Sequence, residues 1–273
     1  MKGILNNLQF IDGENIISSN DRAARYGDGL FETIIFSNGK LKFWENHFNR
    51  LIRGMKILKI EFDSEKFENS LMHSIYKLIS DKNLSHRLRI RVWRKGDGLY
   101  LPIQNDYNLL VEAKEITVDN SIKKLDYVGI SNQKLVFSPI SHLKTLNALP
   151  YVMAKIEAKD YKWDDAILTD TNGNYAECSA SNLFFISHDK VVTPALESGC
   201  IEGVMRKVVI DSLTIKGMIP TFVLEGEKYF KTFIGCFCTN VSGIQVISNI
   251  NRHSYNTIFA LEFIRENLKD VWN

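Results

Sequence analysis

The sequence predicts a two-domain α+β protein, with a smaller N-terminal domain over residues 1–118 and a larger C-terminal domain over residues 119–273. Three observations lead there. The first part reads as short strands, then two amphipathic helices, then strands again, which is an α+β order and not a βαβ repeat. From Val118 to Lys124 the chain turns polar and loses any core pattern, which marks a boundary. Beyond it, short strands alternate with helices to the C-terminus, and 273 residues suffice for two modest cores.

In chain order, alternation predicts strands over Ile4–Phe10, Thr33–Phe36 and Lys40–Trp44. The turn Ser37-Asn38-Gly39 joins the last two, because Asn-Gly reaches positive φ at little cost. Phe48, Leu51, Ile52, Met55 and Leu58 recur at three-to-four spacing and predict a helix over Glu45–Leu58. Phe67, Leu71, Ile75 and Leu78 predict a second over Ser64–Ile79. Arginines alternate with aliphatic residues over Arg87–Arg94, as in a half-buried strand, and Asn108–Ala113 follows as another. The second domain reads as a strand at Tyr127–Ile130 and a helix at Leu146–Ala158. Strands follow at Asp165–Thr169, Tyr175–Cys178, Asn182–Ile186 and Lys190–Val192, and a helix from Gly203 to about Leu213. Strands at Phe233–Cys238 and Ile244–Ile247 and a helix at Thr257–Leu268 close it.

Composition excludes several function classes. A hydrophobic fraction of 45% with 24% charged residues is ordinary for a globular protein and wrong for a disordered one. Lys+Arg number 34 against Asp+Glu 32, so charge gives no case for a nucleic-acid partner. Cys178, Cys200, Cys236 and Cys238 include no C-x-x-C pair, so buried reduced thiols are expected and no metal site. No run approaches the ~18–20 apolar residues that span a bilayer, and the N-terminus carries no long apolar segment. A cytoplasmic protein without a membrane partner is the expectation.

Five segments are richer in special residues than a core needs. Asp21–Thr33 sets two glycines around an aspartate ahead of a strand, which alone reads as a loop. His47 and Arg50 share a helix face, which alone reads as a solvated one. Lys144 leaves a loop between apolar residues, where desolvation lowers an amine's pKa and frees it as a nucleophile. Glu177 is a carboxylate among small residues, and it needs a partner or stays neutral. Gly199 and Gly203 precede a helix start, whose free N–H groups suit a phosphate.

In order and spacing these segments resemble the class IV aminotransferases, the fold type IV pyridoxal-5′-phosphate (PLP) enzymes. The blocks are D-R-x-x-x-Y-G-D-G-x-F-E-T (21–33), E-x-H-x-x-R-L (45–51), K-x-L-N (144–147), E-C-S-A-S-N-L-F (177–184) and G-x-x-x-G-V-M-R (199–206). The resemblance covers nearly the whole chain. It implies PLP in a cleft between the domains of a homodimer. Lys144 would form the internal aldimine and shuttle the substrate Cα proton, and Glu177 would face the pyridine nitrogen. Arg50 would pair with the cofactor phosphate, with main-chain N–H groups of Val204 and Met205. Asn240 and Val241, in the turn Thr239–Ser242, would close the phosphate pocket.

The family that the chain resembles includes branched-chain and D-amino-acid aminotransferases and 4-amino-4-deoxychorismate lyase; the branched-chain enzymes are somewhat more distant in these blocks, and the resemblance divides over the reaction. Phe31, the block at Glu177, Val191–Pro194, Gly203–Arg206 and Asn240 resemble 4-amino-4-deoxychorismate lyase, which yields p-aminobenzoate and pyruvate for folate synthesis. The lyases' second arginine after the R-G turn is missing. Lys144–Leu149 and Ala154–Ala158 look like D-amino-acid aminotransferases, although their tyrosine stands as Phe31 here and their Arg-x-His clamp is absent. Amino transfer between a small amino acid and a 2-keto acid is the first expectation. Aminodeoxychorismate lyase is the second, and a PLP-binding protein without turnover the third. Phe31 would line the substrate pocket, and Arg89, Arg91 and Arg25 are candidates for the substrate carboxylate, though Arg89 and Arg91 also read as a solvated strand face.

Overall fold

The computed structural model describes residues 2–6, 8–11, 20–79 and 81–271. The chain divides into two compact units, Met1–Asp119 with Leu143–Asn147, and Asn120–His142 with Ala148–Asn273.

The first unit contains strands β1 (Lys2–Leu5), β2 (Leu8–Ile11), β3 (Gly29–Ser37), β4 (Lys40–Leu41), β5 (His86–Arg94) and β6 (Tyr107–Glu115), with helices α1 (Arg22–Tyr26), α2 (Trp44–Ile57) and α3 (Ser64–Leu78). Its sheet has the order β2-β1-β6-β5-β3-β4, antiparallel throughout. The segment expected as one strand over Ile4–Phe10 is two antiparallel strands, with Asn6 at a left-handed φ of 47° between them. The strand expected over Lys40–Trp44 is shorter, because Phe43, at φ 55°, turns the chain into α2. Met55 from α2 and Phe67, Leu71 and Ile75 from α3 pack on one sheet face against Ile34, Leu88, Ile90 and Val111. Burying each such side chain contributes about 1.5–3 kcal/mol. The alternate positions, Phe31, Thr33, Arg89, Arg91 and Glu112, take the other face.

Two devices fix the start of β3. Asp28 sits between two buried guanidinium groups: Arg22 Nε donates to it at 2.7 Å and Arg94 Nε at 3.0 Å. Arg22 also donates to the Leu99 carbonyl at 2.7 Å, and Arg94 to the Leu58 carbonyl at 2.6 Å, which ties in the neighbouring loops. Just upstream, Asp21 caps α1 by accepting from Ala23 N at 2.8 Å, and Gly27 ends it at φ 61°. A Cβ at Gly27 would stand 2.5 Å from Asn147 Oδ1, so glycine is required twice over. At five residues α1 is too short to show a period, and the sequence reads it only as loop.

The sequence reading assigns Leu143–Asn147 to the second domain, but this segment packs with the first unit. Phe31 N donates to Lys144 O at 2.9 Å, Leu146 N to Gly29 O at 2.9 Å, and Leu30 and Thr145 form an antiparallel bridge. Backbone groups spent on β3 cannot start a helix at Leu146.

The second unit contains β7 (Lys123–Leu125), β8 (Val128–Leu135), α4 (Leu149–Asp160), β9 (Asp165–Asp170), β10 (Tyr175–Cys178), β11 (Asn182–Ile186), β12 (Val191–Pro194), α5 (Val204–Ile215), β13 (Thr221–Val223), α6 (Glu227–Phe230), β14 (Gly235–Asn240), β15 (Gly243–Ile247), β16 (Asn249–Ile250), β17 (His253–Ser254) and α7 (Thr257–Asn267). Two sheets, ordered β10-β9-β8-β16-β17 and β13-β12-β11-β14-β15-β7, share a core of Val128, Ile167, Tyr175, Leu183, Phe185 and Phe230. Cys178, Cys236 and Cys238 lie in that core as free thiols, as the alternation of Cys236-Phe-Cys238 suggests. α4 covers the outer face of the first sheet through Ala154 and Ala158 against Ala166 and Leu168. Polar Lys123 and Lys124, read as boundary, are in β7, an edge strand that pairs in parallel with β15 and sends Leu125 into the core.

Candidate functional site

Glu177 is held at 4% exposure on β10. Tyr175 and Cys178 both face the inter-sheet core although they are three residues apart, which strict alternation forbids. A bulge between Tyr175 and Glu177 resolves this and turns Glu177 toward α4. There its Oε1 accepts from the Tyr151 hydroxyl at 2.7 Å and from Ile201 N at 2.8 Å, while Oε2 accepts from Asn182 Nδ2 at 3.0 Å. Asn182 Nδ2 also donates to the Ile201 carbonyl at 3.0 Å. Among the described residues three donors receive this buried carboxylate, which offsets the cost of taking it out of water. Burial, helped by the Glu177 charge, pushes the nearby Cys200 thiol up to about 12, so it stays neutral.

Beside it, α5 begins at Gly203 with no side chain among the described residues capping its start, and Val204 and Met205, its first residues, are buried. An uncapped helix start carries partial positive charge. A Cβ at Gly203 would overlap Asn182 Oδ1, so this glycine lets the Glu177 partner fit. The Asn240 side chain is occupied in its own turn: Oδ1 accepts from Ser242 N at 2.8 Å, and Nδ2 donates to Ala180 O at 3.0 Å and Ser181 Oγ at 3.1 Å. Asn240 therefore fixes the turn that presents Val241, and its side chain has its partners within the unit.

In the first unit, the Lys144 ammonium stands 4.4 Å from the centre of the Phe31 ring, the face of an aromatic that attracts a cation. The expected solvated face at His47 and Arg50 is buried instead, at 1% and 9% exposure. Both reach Glu32, which points into the core from β3 at 2% exposure. Arg50 Nε donates to Glu32 Oε1 at 2.7 Å and Arg50 Nη2 to Oε2 at 2.6 Å, while His47 Nδ1 bonds Oε2 at 2.7 Å. Glu32 is absent from the predicted residues, although a carboxylate inside the apolar run Leu30–Phe36 must find a cation.

The three candidate carboxylate binders differ. Arg25 is exposed and paired with Asp97 at 3.1 Å. Arg91, paired in register with Phe31, is ion-paired with Glu112. Arg89 lies beside Thr33 on the same face; it is exposed, and among the described residues its guanidinium makes no hydrogen bond or ion pair. Glu112 stands directly opposite Arg89 in register, but its carboxylate turns diagonally to Arg91.

The family described as "Amino-transferase class IV" matches residues 29–250. The chain is similar to an aminodeoxychorismate lyase of Vibrio harveyi, 27% identical over 85% of this chain and 86% of the relative. It is also similar to a "Probable branched-chain-amino-acid aminotransferase" of Rickettsia bellii, 25% identical over 90% of this chain and 86% of the relative. Among solved structures, a branched-chain aminotransferase of the archaeon Thermoproteus uzoniensis, crystallised with norvaline, superposes with a TM-score of 0.85 at 19% identity, covering 100% of this chain and 95% of that one. The fold is therefore that of the fold type IV enzymes.

Proposed function

The chain belongs to the class IV aminotransferase family, and from that premise we propose that it is a PLP-dependent aminotransferase moving an amino group between a small amino acid and a 2-keto acid. The observation that carries this is the Lys144 amine, pinned through its own backbone to β3 and held over Phe31. The family is PLP-dependent, and the donor set here suits that cofactor: a buried, triply hydrogen-bonded carboxylate for a protonated ring nitrogen, and an uncapped helix start for a phosphate. Glu177 would take the nitrogen. Arg50, the N–H groups of Val204 and Met205, and the Asn240–Val241 turn would take the phosphate. When bound, PLP supplies a sink for the electron pair left by a broken substrate Cα–H bond. Lys144 would hold the cofactor at rest and then, as a free amine, take the Cα proton. The Phe31 ring confines that amine, and Glu32 holds the Arg50 guanidinium in one orientation.

A second reading, aminodeoxychorismate lyase, is favoured by the Vibrio harveyi relative and by Arg89 standing two residues from Arg91 on the face that bears Phe31. Arg89 would meet one of the two carboxylates of aminodeoxychorismate, and Arg91 would meet the other on exchanging its Glu112 partner for it. Incubating the PLP-loaded protein with amino acids and a 2-keto acid should convert the cofactor to its amine form and yield a new keto acid. Pyruvate from aminodeoxychorismate, with no amino transfer, would replace the first reading by the second. In either reaction Arg89→Gln should raise KM for dicarboxylic substrates about tenfold, the worth of ~1.4 kcal/mol, and leave monocarboxylic ones unchanged.

We also take the protein to act as a homodimer. Support comes from α4, whose Leu149, Val152, Met153 and Ile156 are exposed, as are Val136, Phe137 and Ile140 in the same unit. Sedimentation at micromolar concentration should read twice the 31.3 kDa chain mass.

A further inference from the structure

Tyr151 enters none of the family blocks and none of the roles above. It is half-buried on the first turn of α4, and its hydroxyl donates to Glu177 Oε1 at 2.7 Å, shorter than the 2.8 Å from Ile201 N and the 3.0 Å from Asn182. Two of those donors belong to the surroundings of the E-C-S-A-S-N block and the α5 entry. The third comes from a different element and is an acidic hydroxyl, the strongest donor class of the three.

We propose that Tyr151 is a positioning residue that keeps Glu177 a weak base, so that a proton shared with the group Glu177 faces stays on that group. The proposal rests on the reading that Glu177 faces the PLP ring nitrogen. A carboxylate that accepts several hydrogen bonds has its charged form stabilised and its proton affinity lowered. Opposite a pyridinium, such a carboxylate supplies negative charge without drawing the proton across. Removal of one donor makes it a stronger base, moves the proton toward the carboxylate oxygen, and leaves a neutral ring that withdraws electrons less. Burial first, and the Glu177 charge second, hold the phenol protonated far above its ordinary range, so it remains a donor at every working pH. The bulge in β10 aims the carboxylate toward α4, and Tyr151 meets it there.

The test uses the protein reconstituted with PLP labelled with ¹⁵N in the ring, as wild type, Tyr151→Phe and Glu177→Gln. Phenylalanine keeps the ring and removes only the donor. In Tyr151→Phe the ring-nitrogen resonance should move toward its unprotonated position. kcat should fall about tenfold, the effect of roughly one pKa unit at the ring, with KM and cofactor retention on gel filtration unchanged. A resonance that moves in Glu177→Gln but not in Tyr151→Phe overturns the inference alone. A resonance unmoved in both overturns the inference together with the reading of Glu177. Should Tyr151→Phe not fold, site-specific difluorotyrosine at 151 strengthens the donor and should move the resonance the opposite way, and no movement there overturns the proposal equally.

Discussion

A Lys144→Ala variant should bind PLP without the visible absorbance band of a lysine-bound cofactor, and its turnover should fall by about 10⁴-fold, the upper range for loss of a positioned general base. The chain makes this variant a clean one. What joins Lys144 to β3 is its carbonyl, which accepts from Phe31 N at 2.9 Å, and alanine keeps that carbonyl. Leu143, buried at 3% exposure, and the Leu30–Thr145 bridge anchor the segment on either side. The far-ultraviolet circular dichroism and the thermal midpoint should therefore match the wild type while the band disappears. A band that survives in Lys144→Ala would assign the covalent attachment to another lysine. Exogenous amines of small volume should restore part of the turnover, since the cavity left by the side chain keeps the Phe31 face against which an ammonium rests.

What is legible in the sequence follows from how locally each feature is encoded. Helices α2 and α3 show in the spacing of Phe48, Leu51, Met55, Phe67, Leu71 and Ile75, because a helix against a sheet must repeat its apolar face. Strand β5 shows in its alternating arginines for the same reason. β7, β13 and α1 do not show, because a two- or three-residue edge strand and a single helical turn draw their order from neighbours. The return of Leu143–Asn147 to the first unit is equally invisible: its order is a main-chain pairing with β3, and main-chain pairing leaves no trace in residue type.

The site divides along the same line. Lys144, Glu177 and Arg50, the residues proposed to hold the cofactor, stand out because motif blocks carry them, but what each is bonded to does not. Tyr151 lies seven residues past Lys144 in an apolar helix, and nothing in periodicity separates it from a core tyrosine. Glu32 has a signal, a charge between Leu30 and Ile34 in a strand whose even positions are core, and the physics of buried charge is enough to demand the cation that Arg50 supplies. Glu112 has none, because a carboxylate on a half-exposed strand face reads as solvated until its diagonal partner is known.

Glu32→Gln should destabilise the protein by about 3 kcal/mol at neutral pH, more than most single substitutions. The amide is isosteric, yet it cannot satisfy the site. Glu32 Oε1 receives Arg50 Nε, and Oε2 receives both Arg50 Nη2 and His47 Nδ1, so whichever way the amide turns its NH₂ group meets a donor. Burial by itself would raise the pKa of Glu32, but Arg50 beside it, and then His47, overcome this and pull it down to about 2 from 4.5. A depressed carboxylate of this kind stabilises the fold fully above its unfolded pKa and loses that stabilisation as pH falls toward its folded one. The wild type should therefore lose about 3 kcal/mol between about pH 4.5 and pH 2 from this group. The variant, with no proton to take up there, should lose none of it. Urea unfolding at a series of pH values reads both: the gap between the two proteins should be full at pH 7 and shrink steadily below pH 4.5. A gap that stays constant to pH 2.5 would place the stabilisation in packing rather than in the charge of Glu32. Because Arg50 is the group this carboxylate orients, the same variant should release PLP more readily than the wild type at pH 7, which dialysis against phosphate buffer would measure.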